Sequence, residues 1–373
     1  MTLRDALSIE IWRAPTPLPE PVLTPAGPFD TFFHLVVVLG DGTHTGWGCS
    51  AMPTEGQMDA AALWATRLVD ARPLTLDELL EVEEREAAWS GTESGSGTES
   101  RTERHAAASA VSLAAWDLMA RRQGKGCADL WGRRGGAEHL DCYASGCFVS
   151  SSIEAITVEA RAARDAGYRK IKIRVGLSLD EDLERLAAVR VSFPEPGSVA
   201  VDAVNGWTPD HAMSFVASAG VPLLWVEDPT PYDCLGQVRT ASPLAAGESL
   251  ETVSDLELLR ETSPVEYLLL DVQRLGGPMR FLAAARALGV PGTKVGGHIA
   301  TPQTAHLLAC VEDPLPVEVF DWSDVLVAQP LVPGRDGRLA VEGPGFGVTL
   351  DRAALEQYGE PVFGRSTDPG RLL

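Results

Sequence analysis

Residues 168–176 read YRKIKIRVG and carry two of the chain's only four lysines, Lys170 and Lys172; the others are Lys125 and Lys294, in 373 residues. In an extended chain side chains alternate between faces, so Lys170, Lys172 and Arg174 share one face and Ile171, Ile173 and Val175 the other. Cations on a strand are costly to bury unless they face an anion or an acidic rim. The stretch predicts a strand that carries positive charge into an acidic site.

Outward from it, short apolar runs recur at 140–145, 170–175, 199–204, 223–226, 244–246, 267–272, 293–295 and 316–320, each bounded by turn signals and followed by an amphipathic stretch. Strands that alternate with helices and are apolar throughout predict a parallel sheet buried on both faces. Eight of them predict an α/β barrel. Catalytic residues of such barrels sit at the C-terminal ends of the strands. Here the runs end in Lys172 and Arg174, Asp202, Glu227, Glu248, Asp271, His298 and Glu318. One polar strand end is unremarkable, but a whole succession of them predicts a functional mouth.

Asp202, Glu227 and Glu248 end three consecutive strands. Three neighbouring carboxylates predict a hard divalent cation such as Mg²⁺. Asp271 and His298 end the next two strands, where a carboxylate beside an imidazole fixes its tautomer and makes a general acid/base.

The first third reads as a mixed α+β unit. A strand over 7–13, a clear one over 32–39, the turn Gly40-Asp41-Gly42 and a partner through Gly46-Trp47-Gly48 form hairpin patterns. Between the first two lies 15–28, with six prolines, which predicts a mobile surface loop. Helical patterns follow over 58–70, 76–88 and 104–122, the last stopping at Gly124. Residues 90–100, SGTESGSGTES, read as a flexible insertion. The expected organisation is a capping domain over 1–125, a barrel over 126–320 and a Gly/Pro-rich tail over 321–373 that has no room in the barrel and returns to the capping domain.

The formal charge of -21 disfavours nucleic acid and membrane surfaces as partners and leaves small ligands and divalent cations open. Six cysteines without a CxxC pair read as reduced core residues. No signal peptide and no long apolar span is visible, which predicts a cytoplasmic protein.

The ordered set FHLVVVLGDGTHTGWG, GYRKIKIRVG, VDAVNGW, LWVEDP, LAAGES, LLLDVQRLGG, GGHIATPQ and PVEVFDW resembles the enolase superfamily, and within it the mandelate racemase subgroup. The resemblance covers nearly the whole chain. It implies a modified (β/α)7β barrel under an N-terminal α+β cap completed by the C-terminal tail, with 15–28 closing the site. It also implies Mg²⁺ on Asp202, Glu227 and Glu248, removal of the proton alpha to a substrate carboxylate, an enediolate helped by Glu318, and a homo-oligomer.

Two departures matter. Counted from Gly167 and Gly176, the family's Lys-x-Lys falls on Lys172 and Arg174, so arginine replaces the second lysine; a register on Lys170 and Lys172 is the alternative. Arginine is a poor proton acceptor but holds carboxylates well. A racemase needs a base on each face of the carbanion, whereas a dehydratase can use one. Dehydration of an acid sugar to a 2-keto-3-deoxy acid is therefore the leading expectation. A racemase or epimerase, and a degenerate carboxylate-binding protein, are the alternatives; cycloisomerisation is set aside because Asp271 stands where those subgroups place a lysine. Secondly, Val204 occupies the position of the family's usual Asn, with Asn205 one further on. Asp321 stands near Glu318 as a second acid, and Lys125 reads as structural.

Overall fold

The structure is a computed structural model, described here for residues 7–24, 27–51, 54–71, 75–92 and 100–366. It opens with three strands, β1 (Ser8–Thr24), β2 (Gly27–Gly40) and β3 (Thr45–Ala51), and three helices, α1 (Glu55–Ala71), α2 (Leu76–Thr92) and α3 (Arg101–Gln123).

The proline-rich stretch 15–28 is not the loop its composition predicts. It forms the far half of a long β1–β2 hairpin, paired through Pro17↔Thr31 and again from Val22↔Phe29. Prolines 15, 17, 19 and 21 fall at every second position. Alternate N–H groups of a strand point to opposite edges, so this spacing strips donors from one edge and leaves the other free to pair. Of the low-complexity stretch 90–100, residues 90–92 end α2 and Ser100 caps α3; 93–99 lie outside the described residues.

α3 starts at a reciprocal Ser100/Glu103 capping box and ends at Gly124 with φ 64°. It lies across β3 at glycines. A Cβ on Gly48 would fall inside the van der Waals shells of Ala110 O, Ala114 N and Leu113 Cβ. Gly48→Ala is therefore expected to destabilise the protein by about 1–3 kcal/mol through overpacking. A urea midpoint unchanged from wild type would show that α3 can retreat freely. Asp117, wholly buried on α3, accepts from Trp47 N (3.0 Å), Arg121 Nε (2.8 Å) and Phe346 N (2.9 Å), tying β3, α3 and the tail together.

Eight parallel strands follow: β4 (His139–Gly146), β5 (Ile171–Arg174), β6 (Val199–Asp202), β7 (Val226–Glu227), β8 (Leu244–Ala246), β9 (Val265–Leu270), β10 (Lys294–Gly297) and β11 (Val317–Val319). They run in the order β10-β9-β8-β7-β6-β5-β4-β11. Among the described residues no ladder joins β10 to β11, so the barrel is curled but open there, bridged by Leu315 N to Val295 O at 2.9 Å. The interior is plugged by Tyr143, Trp225, Leu269 and Leu315, separated by Ala200 and Ala245. Large and small residues on successive strands fill the bore and leave one mouth.

The tail does more than return to the cap. β12 (Arg338–Ala340) pairs antiparallel with β4, so part of it does join the barrel sheet, along a free stretch of β4 outside the parallel register. β13 (Glu360–Ser366) pairs with β1, giving the cap sheet the order β13-β1-β2-β3. All six cysteines are free, four of them buried; Cys234 and Cys310 are half-exposed rather than core. Among the described residues no helix is long and apolar enough to cross a membrane.

Candidate active site

The barrel register sets the polar strand ends side by side. Arg174 lies beside Asp202, and Asp202 beside Glu227. Glu248 follows β8 by two residues, Asp271 follows β9 directly, His298 follows β10, and Glu318 is the middle residue of β11. Lys170 is elsewhere: it precedes β5 and pairs with Asp141 on β4 at 2.8 Å. The geometry thus brings Lys172 and Arg174, not Lys170, to the acidic mouth.

Lys172 is wholly buried, with Nζ 2.5 Å from Glu227 Oε1, 2.9 Å from Glu318 Oε1 and 3.9 Å from Asp202 Oδ2. Burial alone would lower its pKa, but Glu227 and Glu318 outweigh that and hold it well above the usual lysine value. Lys172 is a fixed cation. Glu318 resists burial in the same way: Lys172, His298 and Arg174 hold its carboxyl below the usual range, and its Oε2 accepts from Ile299 N at 2.8 Å. Asp321 is exposed at the start of a 3-10 turn and is not part of this cluster.

Arg174 lays Nε 3.0 Å from Asp202 Oδ2 and donates from Nη1 to Ser145 Oγ at 2.9 Å. His298 presents two faces. Nδ1 meets Asp271 Oδ2 at 2.8 Å and Nε2 meets Glu248 Oε2 at 3.2 Å. Asp271 is itself oriented, since Oδ1 accepts from Gln273 N (2.6 Å) and Arg274 N (3.3 Å). An ionised carboxylate only accepts, so His298 carries its proton on Nδ1 and offers Nε2 to the cavity. Burial would lower the imidazole's pKa, but Glu248 and Asp271 raise it to about 10.

Each of the three expected metal ligands therefore pairs with a base: Asp202 with Arg174, Glu227 with Lys172, Glu248 with His298. Among the described residues no three side chains already stand as a metal cage. The donor set nevertheless fits a hard cation, being all oxygen and crowded with like charge. Burial pushes Glu227 up to about 7 against the pull of Lys172. Asp228, which sequence reasoning passed over although it stands inside LWVEDP, is buried beside the same group; burial, then Glu248, Asp202 and Glu227, hold its pKa high, and its Oδ1 has no partner. Two further residues escaped the sequence. Trp225 Nε1 donates to Glu227 Oε2 at 2.8 Å, and Ser145 steadies Arg174; neither type carries a signal of its own.

An eight-stranded parallel barrel, closed over its mouth by an α+β cap and gathering acids, two fixed cations and an Asp–His dyad there, defines the capped-barrel class of enzyme folds. A family model described as enolase C-terminal domain-like matches residues 155–354, more than half of the chain. The chain belongs to the enolase superfamily, in its mandelate racemase/muconate-lactonizing-enzyme-like subgroup. It is 30% identical over 257 residues to L-talarate/galactarate dehydratase of Salmonella typhimurium, a match covering 66% of this chain and 64% of that protein. It is 29% identical over 267 residues to 3,6-anhydro-alpha-L-galactonate cycloisomerase of Streptomyces coelicolor, covering 69% and 72%. The solved structure of a Streptomyces coelicolor racemase with bound magnesium superposes with a TM-score of 0.79 at 25% identity, covering 95% of this chain and 99% of that one.

Proposed function

We propose that the protein is a Mg²⁺-dependent dehydratase of sugar acids, converting an aldonate or aldarate to a 2-keto-3-deoxy acid. The observation that carries this reading is the single proton-handling centre at the mouth: the Asp271–His298 dyad on one side, and on the other Arg174, which cannot serve as a base near neutral pH.

In this reading Asp202, Glu227 and Glu248 hold the metal, with Asp228 behind them. Bound there, Mg²⁺ supplies Lewis-acid neutralisation of the substrate carboxylate. Lys172 and Arg174 orient that carboxylate and oppose the charge that gathers on it. His298 Nε2 removes the alpha proton, with Asp271 steadying the imidazolium. The same proton then leaves with the beta-hydroxyl as water when the C–O bond breaks, and the enol tautomerises to the 2-keto acid. Glu318, fixed by Lys172 and Ile299 N, lies beside the developing enediolate.

Screening aldonic and aldaric acids for 2-keto product tests this. No product from any of them, with alpha-proton exchange into D₂O on both faces of some carboxylate, would replace it by a racemase or epimerase. Absence of exchange from every acid would leave a carboxylate-binding protein. The Streptomyces coelicolor relative restores cycloisomerisation as a second reading, which would give a rearranged product with no loss of water. Chelation should abolish turnover in either case, and Mg²⁺ should restore it; full activity in excess EDTA would remove the metal from the scheme.

A further inference from the structure

The cavity above the acid–base groups has a volume of about 640 Å³ and two unlike walls. On the capping side the polar side chains are already committed to one another. Thr54 Oγ1 donates to Glu103, Thr102 Oγ1 to Glu251 and Gln57 Nε2 to Ser50, while Gln273 Oε1 accepts from Ala51 N. Satisfied groups offer little to a hydroxylated chain.

The other wall is aromatic. Trp322 stacks on Phe148 with ring centroids 5.1 Å apart and 24° between planes, and meets Phe320 at 4.4 Å and Phe32 at 4.9 Å. Phe148 also lies 5.4 Å beneath the Arg174 guanidinium, so the wall begins at the cation that orients the carboxylate. Val204 extends it to the rim. Its φ is 49°, a left-handed conformation that a β-branched residue adopts only under strain, yet its side chain is 43% exposed in the cavity mouth. Strain of this kind, held at the mouth of a site, positions an apolar group where the neighbouring Asn205, at φ 59°, would fit the backbone more easily.

We propose that Val204 and Trp322 are specificity-determining residues that select a substrate whose far end, beyond the alpha and beta carbons, is a compact apolar group, aryl or alkyl, rather than a hydroxylated chain or a second carboxylate. This rests on the proton-abstraction reading above and narrows its substrate class. Hydroxyls laid against the aromatic wall would lose water without gaining partners. An apolar group gains burial and stacking there.

The experiment compares 3-phenyl-2,3-dihydroxypropanoate with galactonate and galactarate, following alpha-proton exchange in D₂O with Mg²⁺ by NMR and binding by calorimetry. The phenyl acid is expected to exceed both polyols in kcat/KM by about 10- to 100-fold. Val204→Asn, which eases the strained backbone, and Trp322→Ala should each narrow that ratio by raising KM for the phenyl acid. Equal or better use of galactonate overturns the proposal and leaves the dehydratase reading standing. So does a preference for galactarate that disappears in Arg274→Gln, since Arg274 also lines the cavity. Exchange with no acid sinks the catalytic reading alone; the wall is then judged by binding, where tighter binding of the phenyl acid, weakened in Trp322→Ala, supports it and indifference overturns it.

Discussion

His298→Asn is expected to lower kcat by about 10²- to 10⁴-fold on any acid the enzyme turns over, the usual contribution of a positioned acid/base. Asparagine can keep a hydrogen bond to Asp271 but cannot take up a proton, so KM should change far less than kcat. Asp271→Asn should fall between the variant and wild type, because the imidazole survives but loses its orienting charge. A second readout needs no substrate. In metal-free protein the folded-state pKa of His298 is raised to about 10 from 6.5. A raised histidine pKa contributes stability that is fully present below about pH 6.5 and is lost as pH rises through about 10. Urea midpoints of wild type should therefore decline across that window, and those of His298→Asn should decline less. Turnover retained within threefold of wild type would remove His298 from the chemistry.

Lys172→Met should be the most destabilising single change in the barrel. The ammonium stands wholly buried between Glu227 and Glu318, and breaking a buried pair by removing one partner costs about 3–5 kcal/mol, because the stranded charges remain. The loss should have a pH signature. Stranded carboxylates have raised folded pKa values, so the variant should regain stability as pH falls and they protonate. Adding Glu318→Gln should recover part of the loss at neutral pH, since one buried charge then goes. Denaturation midpoints at pH 5 and 8 for the single and double variants would settle this. A Lys172→Met protein as stable as wild type at pH 8 would mean that water or a counter-ion reaches the cluster.

The barrel and the polar strand ends were legible because their signals are local. An apolar run of a few residues, a turn and a polar terminal residue recur within short windows, and the parallel register then converts sequence order into spatial order. β7 shows the limit: it is only Val226–Glu227, shorter than the run that announces it, because Trp225 turns inward as a plug. The proline-rich stretch was misread for a different reason. Proline content argues against regular structure when counted, and for a one-sided edge when its spacing is read. Asp228 was visible but unremarkable, since a second acid beside Glu227 gains meaning only when burial and the crowd around it are known. The aromatic wall could not be foreseen, as Phe32, Phe148 and Trp322 come from distant parts of the chain.

The pairing of β13 with β1 bears on how the protein is made. Ser8 lies opposite Ser366, so the sheet that roofs the cavity cannot be completed until nearly the whole chain has left the ribosome. During that interval β1 waits with one edge unpaired, and unpaired edges invite other strands. The alternate prolines of 15–21 make most of that edge a poor template, while the stretch Ser8–Arg13 that β13 will claim is free of them. The same residues that roof the substrate cavity would then act earlier as a guard against self-association of the unfinished chain.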